Sequence, residues 1–188
     1  MIIDRKLLRE KIKNKLLRLS RRDLLLSSQK VATKIVSSQI FTRSKNIACY
    51  IPMNGEINIW PVIKNIWKCS KNCYIPTFSS ETTNRLCFIK FEPGDSLINI
   101  KYKIFAPKFI KEKNIAPQNL ELVIMPLIGF NKNRFRLGQG GGNYDRTFAF
   151  KKNSLSLSPY LLGVGHECQY IEFESATWDI QLDEIIIS

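Results

Sequence analysis

The spacing of apolar residues predicts two amphipathic helices at the start of the chain. Over residues 4–19 the apolar positions recur every three or four residues with basic residues between them, as in a helix with one buried face. A second helix is predicted to begin with Ser20 and Asp23, which form a capping-box-like pair, and to run to about Phe41. The apolar residues that carry this spacing are Leu8, Ile12, Leu16, Leu19, Val31 and Ile35.

Shorter apolar runs without helical spacing follow, and they predict strands at residues 46–51, 72–76, 86–91, 121–126, 161–165 and 184–187. Pro61 suits the first turn of a third helix that ends near Lys68. A further helix is predicted over residues 143–151. Residues 94–120 show no regular period and are predicted to be irregular.

Strands that alternate with helices predict an α/β fold, in a single layered domain over residues 1–188. We expect a largely parallel open sheet flanked by helices, Rossmann-like in its general layout. Ligands of open α/β sheets bind beyond the carboxyl ends of the strands. Glu56, the glycine-rich stretch described next and His166–Glu167 all follow predicted strands, so we expect them to converge on one edge of the sheet.

Residues 138–142 hold four glycines in five positions, between an apolar run over residues 122–128 and a predicted helix. A backbone with so few side chains can bring its N–H groups close to an anion, and a helix N-terminus adds to this preference. Arg136 and Arg146 flank the stretch and can pair with phosphate oxygens. Asp145 is the one acid inside it, and a carboxylate beside a polyphosphate implies a cation such as Mg²⁺. The spacing matches neither a Walker loop nor the dinucleotide fingerprint, so composition alone does not decide between phosphate binding and a flexible turn.

Composition and charge narrow the remaining function classes. The length of 188 residues suits one domain with a substantial core, and no apolar run approaches the length of a membrane span. The chain starts without a signal-peptide core, so we expect a cytoplasmic protein. Cys69 and Cys73 lie four residues apart, but there is no second cysteine pair and only one histidine, His166, to complete a zinc site, so we expect ordinary thiols. The net charge of +13 attracts anions, but no nucleic-acid-binding motif accompanies it.

Two strings of residues resemble the signature of the 5-formyltetrahydrofolate cyclo-ligase family. They are PLIGF at residues 126–130 and RLGQGGGNYDR at residues 136–146. Weaker matches follow in the family's order at residues 5–9, 50–57, 163–169 and 178–179. The resemblance implies that ATP and 5-formyltetrahydrofolate react to give 5,10-methenyltetrahydrofolate, ADP and phosphate. In such a reaction the formyl oxygen attacks the γ-phosphate and N10 then closes the ring, which requires positioning and charge neutralisation rather than a protein nucleophile.

The resemblance also implies roles for individual residues. Asp145 and Arg146 would be catalytic, Asp145 and Asp179 would hold Mg²⁺, and ATP would be a co-substrate. The folate would contact Ile51, Glu56, Tyr102 and Asn143. The ATP site would comprise Arg5, Arg9, Arg136, Leu137, Gly138, Gln139, Gly140, Gly141, Gly142, Asn143 and Tyr144. The expected partners are ATP and a polyglutamylated folate, with a monomeric protein and neither a membrane nor a dedicated nucleic-acid partner.

Several positions depart from the family's usual pattern: Ala106, Asn131, Arg134, Gln139 and Asn143. They leave open a second hypothesis, a homologue that binds nucleotide or folate without catalysis. A third hypothesis, a basic nucleic-acid-binding protein, rests on charge alone.

Overall fold

The computed structural model describes residues 4–79, 84–101, 104–152 and 158–188. The helices are α1 (Arg5–Leu16), α2 (Arg21–Val36), α3 (Gln39–Arg43), α4 (Trp60–Lys68) and α5 (Asn143–Thr147). The strands are β1 (Asn46–Ala48), β2 (Asn72–Thr77), β3 (Cys87–Lys90), β4 (Ile98–Lys101), β5 (Ile104–Ala106), β6 (Asn114–Ile115), β7 (Leu122–Pro126), β8 (Gly129–Phe130), β9 (Arg136–Leu137), β10 (Tyr160–Gly165) and β11 (Glu184–Ile187). Short 3-10 turns lie at Lys111–Lys113, Pro117–Asn119, Ala149–Lys152 and Glu167–Gln169.

Seven strands form one sheet in the order β11-β10-β7-β1-β2-β3-β6. The first five are parallel, and β3 and β6 add an antiparallel edge. The predicted α/β class with a largely parallel sheet is therefore confirmed. The order along the sheet reverses between β1 and β7, because the chain leaves β1 towards β2 on one side and returns to β7 on the other. Such a reversal leaves a crevice at the carboxyl ends of the two strands, where ligands of this fold class bind.

Three apolar clusters hold the layers together. The largest packs α2 and α4 on one face of the sheet, with Ile35, Ile63 and Ile124 fully buried. A second cluster on Phe88 and Phe148 packs the segment after the glycine-rich stretch. The third lies under α1, whose Leu8 and Ile12 contact the β8–β9 region. These contacts fix α1 beside the carboxyl edge of the sheet.

The predicted second helix is interrupted, and the cause is local. The capping box of Ser20 and Asp23 is present, but α2 ends at Val36. The side chain of Ser38 accepts a hydrogen bond from the Phe41 amide, and this cap starts α3 as a separate helix. A serine hydroxyl that competes for backbone groups favours a helix end over a helix interior.

Three other predictions required correction. The chain over residues 94–120 contains the β4–β5 hairpin and β6, although it lacks a clear period. The predicted helix over residues 143–151 ends at Thr147 and continues as a 3-10 turn. The antiparallel β8–β9 hairpin separates β7 from the glycine-rich stretch, which therefore does not follow the buried strand directly. In the described ranges no helix is long and apolar enough to cross a membrane. The assignment of residues 1–188 to a single domain stays a prediction.

Candidate functional site

The glycine loop, residues 138–142, turns between β9 and α5 in a conformation that requires glycine. Gly140 has φ of +107° and Gly142 has φ of +62°, in the region that L-residues with a side chain rarely adopt. Within the described part of the chain, the backbone N–H groups of residues 139–142 donate no hydrogen bond. They are available to a ligand. Helix α5 has only five residues, so it adds little dipole and the loop amides are the main attraction for an anion.

Two arginines of α1 lie beside this loop. Arg5 and Arg9 are one helical turn apart and so project on the same side. The Nε of Arg9 donates to the Gly138 carbonyl at 2.7 Å. The Arg5 guanidinium pairs with Asp179, with 2.5 Å between Nη2 and Oδ2. Because α1 packs against the β8–β9 hairpin, the positive charges of Arg5 and Arg9 lie beside the glycine loop.

Asp179 is held in a tight turn and is nearly inaccessible. Its side chain is 7% exposed, and its Oδ2 accepts a hydrogen bond from the Ala176 amide at 2.8 Å. Arg5 also donates to the Glu174 carbonyl at 2.9 Å, which ties the N-terminal helix to this turn. The carboxylate raises the pKa of Arg5, so the guanidinium stays charged.

Asp145 forms the second carboxylate of the site. Its Oδ2 lies 3.1 Å from Nη2 of the buried Arg136, and its Oδ1 accepts from the Ile180 amide at 3.2 Å. The Arg136 guanidinium lies 4.9 Å from the centre of the Tyr144 ring, in a cation–π contact. Arg136 is therefore fixed from two sides before any ligand contributes.

These groups line one cleft of about 120 Å³. Its wall contains most of the residues that the resemblance implied: Arg5, Arg9, Arg136, Gly138, Gln139, Gly140, Gly141, Gly142, Asn143, Asp145 and Asp179. Leu137 is buried below the cleft, and Tyr144 packs beneath it on Phe148. Trp178 also lines the cleft and is 69% exposed, although the sequence pattern did not place it in the site. A tryptophan directly before the Asp179 match was the available signal in the sequence.

The side chain of Arg146 turns away from this cleft. Its Nη2 donates to the Gly141 carbonyl and to Oδ1 of Asn143, and its Nε donates to the Asn84 carbonyl. It lines a different depression, beside Arg85 and Thr147. The guanidinium thus holds the outer side of the loop, and the pairing of Arg146 with phosphate stays a prediction.

The loop after β1 brings Glu56 to the other side of the strand-order reversal. Burial raises the pKa of the Glu56 carboxyl above its ordinary value, and its Oε2 accepts from the Met53 amide at 2.9 Å. Burial is the main cause of the raised pKa of Tyr144, and the Glu56 charge adds to it. Ile51 is half-buried against the main core. Tyr102, the other expected folate contact, lies outside the described residues.

His166 follows β10 at the same edge of the sheet and is 2% exposed. Neither imidazole nitrogen has a hydrogen-bond partner in the described part of the structure. Burial lowers its pKa, while the nearby Gly55 backbone opposes that shift. The sequence placed His166 at this edge without assigning it a role.

Two of the departures from the family pattern have a structural explanation. Asn131 is buried and its Oδ1 accepts from the amides of Asn133 and Phe135, so it holds the turn of the β8–β9 hairpin. Arg134 has φ of +61° where the family commonly has glycine. Its Nη1 donates to the Asp183 carbonyl at 2.7 Å, which offsets part of the backbone strain.

The oxygen donors suit a hard divalent cation. Among the described residues no group of three or more histidine, cysteine or acidic side chains could hold a metal without other ligands. Asp145 and Asp179 line the same cleft and retain unused lone pairs beyond the bonds given above. Mg²⁺ commonly takes one or two carboxylates and completes its shell with water and phosphate oxygens, so the residues fit that ion.

Comparison with known proteins supports a specific relationship. A model of the 5-formyltetrahydrofolate cyclo-ligase family matches residues 2–188. A 5-formyltetrahydrofolate cyclo-ligase of Haemophilus influenzae is 34% identical to this chain, over 77% of it and 76% of the relative. The Escherichia coli K12 protein of the same name is 28% identical, over 84% and 86% of the two chains.

Two solved structures share the fold. A 5,10-methenyltetrahydrofolate synthetase from Mycoplasma pneumoniae aligns with a TM-score of 0.76 and 26% identity, over 98% of both chains. The Aquifex aeolicus synthetase aligns with a TM-score of 0.81 and 24% identity, over 97% of this chain and 89% of its own.

Proposed function

Because this chain belongs to the 5-formyltetrahydrofolate cyclo-ligase family, we propose that it catalyses the reaction for which the family is named. The reaction closes 5-formyltetrahydrofolate to 5,10-methenyltetrahydrofolate and converts ATP to ADP and phosphate. One observation carries the proposal: three arginines, two aspartates and the unpaired amides of the glycine loop meet in one cleft.

The cleft is proposed as the site of the ATP phosphates. Arg5, Arg9 and Arg136 supply positive charge, and the amides of residues 139–142 supply donors that no described residue uses. Charge-assisted hydrogen bonds from such groups are roughly twice as strong as neutral ones. Arg5 and Arg136 are paired with carboxylates in the structure, so phosphate would share or replace these partners.

Mg²⁺ is proposed to be held by Asp145 and Asp179 together with phosphate oxygens. The ion, when bound, neutralises charge that develops on the phosphoryl group. The pairing of each aspartate with an arginine holds both carboxylates in position. Arg146 contributes as a positioning residue, since its bonds to Gly141 and Asn143 maintain the shape of the loop.

The folate is proposed to occupy the adjoining space between the Glu56 loop and the glycine loop. Ile51 offers an apolar surface for the pterin, and Asn143 borders both ligands. The Glu56 carboxylate would accept hydrogen bonds from N–H donors of the pterin. In this proposal the formyl oxygen would face the γ-phosphate, and the protein would act by positioning the two substrates rather than by supplying a nucleophile.

The test is to follow the near-ultraviolet absorbance of the methenyl product with purified protein, 5-formyltetrahydrofolate and Mg²⁺. We expect product only when ATP is present, with one ADP formed for each methenyl group. Replacing Arg9 by alanine should weaken ATP binding, whereas Arg22→Ala, on the exposed side of α2, should not. Absence of both product and ADP at saturating substrates would show that the protein is not an active cyclo-ligase.

Further expectations about the partners are part of the same proposal. The basic residues of α1 and α2 would attract a polyglutamylated folate as readily as ATP, since both are polyanions. We propose that the protein acts as a monomer in the cytoplasm without a dedicated nucleic-acid partner. Light scattering tests the monomeric state, and the salt dependence of nucleic-acid binding tests the absence of a dedicated nucleic-acid partner.

A further inference from the structure

The phosphate cleft is too small to hold a whole nucleotide. Its volume is about 120 Å³, whereas sites that enclose a drug-sized ligand span roughly 300–1,000 Å³. Arginines and glycine-loop amides make up most of its wall, and these donors suit phosphate oxygens rather than an aromatic base. The ribose and the base of ATP therefore lie outside the cleft, against its rim.

Trp178 stands on that rim. Among the described residues that line the cleft it is the only aromatic one, and it is 69% exposed. A single exposed apolar side chain elsewhere on a protein surface needs no explanation. This indole, however, borders the same cleft as Arg5, Arg9 and the glycine loop. It offers a flat apolar face directly beside the proposed phosphate site.

The backbone around Trp178 is fixed, although its side chain is open to solvent. The Asp179 carboxylate accepts from the Ala176 amide at 2.8 Å, and the Asp179 amide donates to the Ala176 carbonyl at 3.0 Å. Lys152 also donates to the Thr177 carbonyl. Within the described ranges the indole itself has no hydrogen bond and no contact with another aromatic ring. A large rigid side chain on a fixed turn loses little conformational entropy when it meets a ligand.

We propose that the indole of Trp178 stacks on the base of the bound nucleotide while the triphosphate occupies the cleft. This role rests on the proposed function, which puts the ATP phosphates in the cleft. Every nucleobase has a π-face, so stacking on an aromatic side chain tolerates different bases. The next residue, Asp179, lies at the proposed metal site, and one tight turn thus serves both ends of the nucleotide.

Calorimetric titrations with ATP and with inorganic triphosphate, each with Mg²⁺, separate the base from the phosphates. We expect Trp178→Ala to raise the dissociation constant of ATP about 5- to 30-fold and to leave that of inorganic triphosphate within about twofold. Trp178→Phe keeps an aromatic ring and should recover most of the ATP affinity. The matched control is Tyr170→Ala, which removes an exposed aromatic residue that does not line the cleft and should change neither constant.

Two outcomes of these titrations would overturn the proposal. An equal loss of ATP and triphosphate affinity in Trp178→Ala would show that the residue only supports the turn at Asp179. Unchanged ATP affinity in the same variant would show that the base binds elsewhere.

Tryptophan fluorescence gives a second readout, because Trp60 and Trp67 pack on Phe91 in the main core. We expect ATP to quench the emission of the wild-type protein, inorganic triphosphate to leave it unchanged, and Trp178→Phe to lose the response to ATP. Quenching by ATP that persists in Trp178→Phe would contradict the stacking.

These measurements follow binding and not turnover, so they separate the role of Trp178 from the proposed reaction. Methenyl product from the wild-type protein, with an ATP affinity that does not depend on Trp178, would overturn the stacking and leave the reaction standing. Base-dependent binding through Trp178 without any product would do the opposite. Failure to bind either ATP or inorganic triphosphate would overturn both.

Discussion

The conformation of the glycine loop gives a sharp prediction for Gly140→Ala. This residue has φ of +107°, and an added Cβ would lie 3.6 Å from Cζ of Arg9, which is an ordinary van der Waals distance. The new methyl group therefore causes no clash. Any loss must come from the backbone, because an L-residue resists a positive φ.

The magnitude follows from that strain. Holding a residue with a side chain in left-handed conformations costs about 1–2 kcal/mol, which is a factor of roughly 5–30 in an equilibrium constant. If the loop relaxes to avoid the strain, ATP must restore the original conformation, so its apparent dissociation constant should rise by the same factor of about 5–30. The thermal stability of the variant should then fall little.

Gly94→Ala is the matched control. Gly94 has φ of +94° in the turn before β4, and nothing lies within 4 Å of an added Cβ. The backbone strain is comparable, but this glycine is not among the residues of the cleft. Gly141→Ala adds a second comparison, since Gly141 has no positive φ and its Cβ would meet only the flexible Asn143 amide at 3.2 Å.

The assay is calorimetric titration of Mg²⁺–ATP into each variant, with thermal unfolding measured in parallel. We expect weak binding by Gly140→Ala, near wild-type binding by Gly94→Ala and an intermediate value for Gly141→Ala. Wild-type affinity in Gly140→Ala would refute the requirement for this loop conformation. An equal loss in Gly94→Ala would show that general destabilisation is responsible.

Three further predictions test the carboxylates and the histidine. Asp145→Asn and Asp179→Asn should each lower turnover at least about tenfold and raise the Mg²⁺ concentration needed, whereas Asp183→Asn, which removes an ion pair with Lys151, should leave the Mg²⁺ requirement unchanged. The same Mg²⁺ titration curve in all three variants would contradict the metal assignment. Glu56→Gln should weaken folate by about 10- to 100-fold with little effect on ATP, and Glu121→Gln, which loses a similar bond to backbone amides at Lys45 and Asn46, should affect neither ligand. An equal loss of ATP affinity in Glu56→Gln would contradict two separate pockets. Burial lowers the pKa of His166 in the folded protein, so the unfolded chain binds a proton first and the free energy of unfolding should fall as the pH drops below about 6.5. Denaturant titrations should show that His166→Phe loses this part of the pH dependence, and an unaltered slope would contradict the buried neutral imidazole.

Local features of the sequence determined the elements and the chemical character of the site. Periodicity located α1, Pro61 marked the first turn of α4, and short apolar runs located the parallel strands, because a strand buried on both faces needs apolar residues throughout. The capping pair of Ser20 and Asp23 could be recognised in the sequence because both partners lie within one helical turn. The glycine loop could also be recognised in the sequence. The positive φ angles of Gly140 and Gly142 depend on the residue type at each position and not on distant contacts.

Weak periodicity explains what the sequence could not locate. The β8–β9 and β4–β5 hairpins pair only two to four residues on each strand, too few to establish an alternation. The break between α2 and α3 depends on Ser38, which caps α3. A serine at this position could equally have continued the helix.

Only the tertiary structure decided how the charged groups meet. Arg5 and Asp179 are 174 residues apart, and their contact exists because Leu8 and Ile12 pack α1 against the β8–β9 hairpin. The strand order sets β1, which leads into the Glu56 loop, next to β7, although some 70 residues separate the two strands along the chain. The direction of Arg146 was likewise set by its neighbours, since the Asn84 and Gly141 carbonyls hold it outside the cleft. Residue type and spacing are local quantities, whereas the partner of a charge depends on the packing of distant elements, and so the sequence predicted the chemistry of the site but not its pairings.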